Sequence, residues 1–192
     1  MSSHLRNTST LSWMDFSGSP LLVLPQPLEK EWLGFYAEAP TDFRDDPDFW
    51  LDEVPYILDD TFDFAKPRTD YDCICGESKR AFAYLLETGH ALVLHSFYDT
   101  WAWLPERQLF INGHLEQLNE ALLDALDWQV LATWTLSDPS VFMMNACCCT
   151  QSPDLDAADF LRLRLPIGIY QIQSAHYEDP YCAVLFRLVL VK

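Results

Sequence analysis

Short apolar runs broken by turn-forming residues dominate the chain. Pro20-Leu21-Leu22-Val23-Leu24-Pro25 is an apolar run between prolines and predicts a strand near a sheet edge. Trp32 to Tyr36 predicts a second short strand, and His90 to Phe97, with Ala91-Leu92-Val93-Leu94 inside it, a third. Trp101-Ala102-Trp103 alternates as a half-buried strand does, and Leu109-Phe110-Ile111 leads into Asn112-Gly113, which reads as a turn. Trp128 to Leu136 and Val141 to Cys149 predict strands separated by Ser137-Asp138-Pro139. Phe160 to Lys192 carries two or three more strands, with a bend at Gly168.

Two segments have helical spacing instead. In Glu77 to Thr88, Phe82, Leu85 and Leu86 would share a face, and Gly89 would stop the helix. In Leu115 to Leu126 the apolar face is Leu115, Leu118, Leu122, Leu123 and Leu126. About eight strands and two helices joined by short connections predict an α+β fold with a mostly antiparallel sheet. Residues 1–12 read as a flexible arm, and 13–192 as a single α+β domain. The polar stretch 150–159 is the junction if that domain divides into two lobes.

Composition narrows the function. Apolar residues make up 49% of the chain, enough for a substantial core in 192 residues. Twelve Lys and Arg against 29 Asp and Glu give a net charge of −17. Such a surface is repelled by nucleic acid and by anionic membranes and attracted to basic protein faces, so no nucleic-acid or membrane partner is expected. No apolar run is long enough to cross a membrane as a helix, and Met1 to Ser12 lacks a secretory apolar stretch. The expected location is the cytoplasm, where the six cysteines stay reduced unless they hold a metal.

Charge is concentrated between Glu38 and Asp63, where ten acidic residues stand against Arg44 alone, interleaved with aromatics. One reading is a solvated loop whose rings tuck onto the core. The other is a contact surface, in which Asp45, Asp46, Asp48, Asp52 and Glu53 steer a basic partner and Phe49 and Trp50 supply binding energy.

Chemistry-bearing motifs are scarce: no phosphate loop, nucleophile elbow or HExxH helix is present. Cys73 and Cys75 are two apart, as are Cys147 and Cys149. On extended backbone each pair would present its thiols in one direction, and four convergent thiolates would suit zinc or an iron–sulfur cluster. On a helix the two thiols of a pair diverge by about 200° and the set fails. The plainer alternative is that these are small apolar fillers of a reduced core, with no cofactor. His95, on an apolar strand, reads as a satisfied core residue ahead of a catalyst, although Ser96 and Asp99 are near it in sequence. Asp70 and Asp72 read as caps of a following helix.

Three signatures remain: Trp13 with Gly18-Ser19-Pro20, Trp32-Leu33-Gly34, and Thr69-Asp70-Tyr71-Asp72 with Cys75. With Ala91-Leu92-Val93-Leu94 and Thr100-Trp101, they resemble the immunity protein 21 family of bacterial polymorphic toxin systems. Ser19 stands where that pattern has glycine. The resemblance implies a cytoplasmic protein, not an enzyme, that binds the C-terminal domain of a secreted toxin one-to-one and occludes its active site. A nuclease or an NAD-consuming or ADP-ribosylating toxin fits, since each binds an anionic substrate. The competing functional readings are a cysteine-ligated zinc or iron–sulfur module and a small enzyme.

Overall fold

The computed structural model describes residues 6–7, 11, 13–16, 19–32, 34, 70–75, 77–95, 97–115, 117–118, 120–148, 150, 160–178 and 182–192. Two antiparallel sheets form its centre. The five-stranded sheet has the order β11-β10-β3-β5-β4, built from β3 (Leu21–Pro25), β4 (Ala81–Leu85), β5 (His90–Leu94), β10 (Ser140–Asn145) and β11 (Phe160–Arg164). The six-stranded sheet has the order β2-β6-β7-β13-β12-β9. It comprises β2 (Trp13–Asp15), β6 (Thr100–Leu104), β7 (Leu109–Gly113), β9 (Gln129–Leu136), β12 (Gly168–Tyr177) and β13 (Ala183–Leu190). A small pair, β1 (Arg6–Asn7) with β8 (Gln117–Leu118), adds to these. The described helices are α1 (Asp70–Cys75) and α2 (Glu120–Ala125).

The sheets pack face to face. Leu21, Val23, Leu92, Leu94, Val141 and Met143 of one meet Trp101, Phe110, Trp134, Tyr170, Val184 and Phe186 of the other. Trp134 on β9 also donates its Nε1–H to the His90 carbonyl on β5, 3.0 Å away, tying the sheets by a hydrogen bond inside the apolar layer. The outer faces are apolar too. On the five-stranded sheet, Leu22, Leu24, Ala91, Val93, Phe142 and Met144 are covered by Trp32, Leu28 and Ile74 of α1. On the six-stranded sheet, Ala102, Leu104, Ile111 and Leu185 are covered by Leu115, Leu118 and the α2 leucines. Strands buried on both sides lose the in–out alternation, which is why Leu21–Pro25 and Leu109–Gly113 are buried at every position.

The α+β expectation thus meets a mostly antiparallel β structure with two short helices among the described residues. Several elements differ from the expected ones. Glu77 to Thr88 is not a helix: Ala81–Leu85 is β4, paired with β5 from Ala81↔Leu94 to Leu85↔His90. Leu85, placed on the apolar face by helical spacing, is 67% exposed. Residues 87–89 are the hairpin turn, closed by the Leu86 N–H donating to the Gly89 carbonyl at 2.8 Å and held by the Glu31 carboxylate, which accepts from the Thr88 N–H and hydroxyl. Pairing with a buried neighbour outweighs the local helical preference.

The second helix keeps its apolar face but is helical only over Glu120–Ala125, because Gln117–Leu118 pairs with β1. Asn112-Gly113 is no hairpin turn; both residues end β7. β10 stops at Asn145, so Cys147 and Cys148 lie in a turn. Trp32 and Gly34 are outside any strand, and the rest of that expected strand lies outside the described residues.

A stability pair separates β4 as a strand from a helix. Leu92→Ala, at a fully buried position, should cost about 3 kcal/mol in urea unfolding, and Leu85→Ala less than about 0.5 kcal/mol. A helical segment burying Leu85 would make the second loss comparable with the first.

Candidate functional site

The turn after β10 is where the sequence signatures converge. Asn145 shapes it: its Oδ1 accepts the Cys147 N–H at 3.0 Å, its carbonyl accepts the Cys148 N–H at 3.1 Å, and its Nδ2–H donates to the Phe16 carbonyl at 3.1 Å. The Pro20 carbonyl accepts the Ala146 N–H at 3.0 Å. From another side, Trp32 Nε1–H donates to the Cys148 carbonyl at 3.0 Å, and the Thr150 hydroxyl reaches back to the Glu29 and Trp32 carbonyls. Gly34 has φ +58, and a Cβ there would lie 2.5 Å from the Cys148 carbonyl oxygen and 2.7 Å from that of Cys147. Only glycine fits so close to two carbonyls with that backbone.

Helix α1 closes the group. Ile74 is fully buried against Trp32, Phe82 and Leu24, and the Tyr84 hydroxyl donates to Asp70 Oδ1 at 3.0 Å. Asp70 therefore ties the start of α1 to β4. Tyr71 and Cys75, four residues apart, share one face of the helix. The Tyr71 hydroxyl lies 3.4 Å from Ser19 Oγ and hydrogen-bonds Cys75. Ser19 also hydrogen-bonds the Cys147 sulfur, to which the Cys148 thiol donates as well. Ser19, Tyr71, Cys75, Cys147 and Cys148 thus form one chain of polar groups drawn from three segments.

Their proton affinities follow. The hydrogen bond from Cys148 is the largest effect on Cys147, and with that from Ser19 it outweighs burial and brings the thiol down from 9.0 to about 7. Burial pushes the Tyr71 phenol up to about 12, so it remains a hydrogen-bond donor at neutral pH. Burial and the Asp70 carboxylate also push Tyr84 up.

Of the four thiols expected to converge, Cys75 and Cys147 both lie near Tyr71, whereas Cys73 turns to Tyr84 on another side of α1. Of the two backbones open to Cys73 and Cys75, the structure has the helix, on which they diverge. Cys149 lies outside the described residues, as do Asp45, Asp46, Asp48, Phe49, Trp50, Asp52 and Glu53. Among the described residues, no three His, Cys, Asp or Glu side chains are grouped to hold a metal ion. His95 lies one residue beyond β5 and is half-buried: its Nε2 lies 3.2 Å from the Ile74 carbonyl, its ring packs on Phe82, and burial lowers its proton affinity. The neighbouring Ser96 lies outside the described residues. Sequence reading missed the tie between Ser19 and the cysteine turn, for nothing in the spacing of residues 19 and 147 announces it.

A family model for immunity protein 21 matches residues 12–180. The chain belongs to the immunity protein 21 family. No curated protein and no solved structure matches it. In this immunity protein the signatures act as structural joints: Ser19 and Pro20 border the turn, Trp32 and Gly34 press on its carbonyls, and α1 packs beside it. No described helix is long and apolar enough to cross a membrane.

Two measurements probe the joint. Cys147 should be alkylated by iodoacetamide with a rate whose pH midpoint is near 7, and Ser19→Ala should move that midpoint upward. The linked stability has a definite sign. The folded thiol pKa is depressed, so its contribution is complete above the ordinary value of 9.0 and fades as pH falls through about 7. A midpoint above 8.5 would remove the thiolate. Gly34→Ala should destabilise the protein by about 2–4 kcal/mol, read by thermal or urea unfolding.

Proposed function

We propose that this immunity protein binds the C-terminal toxin domain of a secreted effector one-to-one in the cytoplasm and blocks it by covering its active-site cleft. Family membership over residues 12–180 is the observation that carries this reading. The charge of −17 supports a partner with a basic face, as an enzyme that binds an anionic substrate must have. A nuclease and an NAD-consuming or ADP-ribosylating enzyme both meet that condition. Occlusion by a surface of roughly 1,200–2,000 Å² needs no catalytic group in the immunity protein. The fold suits that task, because packed sheets present a surface at small entropic cost. The acidic and aromatic stretch with Asp45, Asp46, Asp48, Phe49, Trp50, Asp52 and Glu53 is assigned here to the contact, its carboxylates guiding approach.

Co-expression with the cognate toxin domain should restore bacterial growth and yield a stable one-to-one complex on size exclusion. Charge reversal at Asp45, Asp46, Asp48 and Asp52 together should slow association by about 10-fold or more at low salt while leaving dissociation nearly unchanged. Persistent toxicity without a complex would refute the neutralising reading, and an unaltered association rate would refute the steering role.

A further inference from the structure

One end of the sandwich carries a surface cluster that none of the signatures includes. Arg80 precedes β4, Phe97 lies between β5 and β6, and His176 is the penultimate residue of β12. The Arg80 guanidinium sits over the Phe97 ring at 5.1 Å from its centroid, and its Nη1–H donates to His176 Nε2. The Phe97 and His176 rings meet edge to face at 6.1 Å. All three side chains face solvent, Phe97 with 50% of its surface exposed. The cluster bridges the sheets, since β4 belongs to one and β12 to the other.

What sets this exposed ring apart is its support. Asn112, fully buried at the end of β7, spends its whole amide on the loop that carries Phe97. Its Oδ1 accepts the Phe97 N–H at 2.8 Å and the Tyr98 N–H at 3.2 Å. Its Nδ2 donates to the carbonyls of Tyr98 at 2.7 Å and Thr100 at 3.1 Å. Gly113, at φ +109, lets the Tyr98 ring lie where a Cβ would come within 2.7 Å of it. A buried amide satisfied four times by one loop holds that loop in one shape. The other exposed large apolar side chains among the described residues are aliphatic: Leu85, Val130, Ile167, Leu190 and Val191. A rigid aromatic with a stacked guanidinium has the composition of an interface hot spot, and its rigidity lowers the entropy lost on binding.

The chemistry also defines the occupant. A guanidinium has five N–H donors, and one here is used by His176, so others can take a carboxylate. We propose that Arg80, Phe97 and His176 form a contact surface for the cognate toxin. It receives a protein segment that places a carboxylate on Arg80 and an apolar side chain against Phe97. The proposal rests on the neutralising reading and adds to it contact residues from outside the acidic stretch. An exposed guanidinium held in place on a strongly acidic molecule helps to fix orientation, because the partner must bring a carboxylate to it.

The test is calorimetric titration of the purified cognate toxin domain with the full chain and three variants, each checked for an unchanged unfolding temperature. Phe97→Ala and Arg80→Glu should each bind at least about 10-fold more weakly than the unaltered chain, and Val130→Ala, exposed on β9, within about twofold. If either of the first two variants loses less than fivefold relative to Val130→Ala, the surface is wrong while the neutralising reading stands. If the unaltered chain neither binds the toxin domain nor rescues growth, both are wrong.

Discussion

Much of this fold answers one constraint: the central strands of both sheets are apolar on both sides, so both of their faces must be covered. Packing the sheets together covers the inner faces. The outer ones go to local devices, α1 with Trp32 on the five-stranded sheet and α2 with Leu115 and Leu118 on the six-stranded one. Each helix has only six residues, too few to be stable alone, so its helicity depends on the sheet it covers. The dependence runs both ways, for Val93 and Leu24 would face water without Ile74 and Trp32. Fully burying side chains of this size contributes roughly 1.5–3 kcal/mol each, comparable with a sizeable fraction of a domain's net stability.

The family signatures belong to that constraint. Glycine at position 34 and tryptophan at position 32 are needed because the chain must cross within van der Waals distance of the Cys147–Cys148 backbone to reach the outer apolar face. Ser19 and Tyr71 belong to the same joint, one preceding β3 and the other on α1. A lowered thiol pKa in such a place is a by-product of polar groups crowded at a junction. Perturbed titration often marks active sites, but structural networks produce it as well, and Cys147 has the partners of a network.

How much was legible in the sequence depended on where the deciding contact lay. Pro20–Pro25 and His90–Phe97 could be read as strands because apolar runs between turn formers leave few alternatives, although the second ends at Leu94. Trp101–Trp103, read as half-buried from its alternation, is a strand buried on both sides. Phe82, Leu85 and Leu86 fit a helix locally. Pairing of β4 with β5 decided otherwise, and β5 is itself held in its sheet by β3, about 70 residues earlier in the chain. Asn112-Gly113 shows the same limit: the pair has the chemistry of a tight turn, yet the asparagine amide is used to clamp residues 97–100. The cysteines could be judged only conditionally, and a helix at Asp70–Cys75 met the condition under which the pair diverges. The cluster of Arg80, Phe97 and His176 was invisible because its members lie 17 to 96 residues apart in the chain and none belongs to a motif.

Long-range charge and short-range shape do different work in a protein of this kind. At physiological salt the screening length is about 8 Å, so even a charge of −17 acts mainly during the last steps of approach. It raises the frequency of encounter with any basic surface and discriminates poorly among them. Selection of one partner has to come from groups whose positions do not adjust, since a flexible contact can be satisfied by many surfaces. The described surface has its best-supported aromatic at Phe97, where a buried side chain holds the backbone beneath it. In the neutralising reading, the acidic body determines how often a toxin arrives, and the loop held by Asn112 determines which toxin stays.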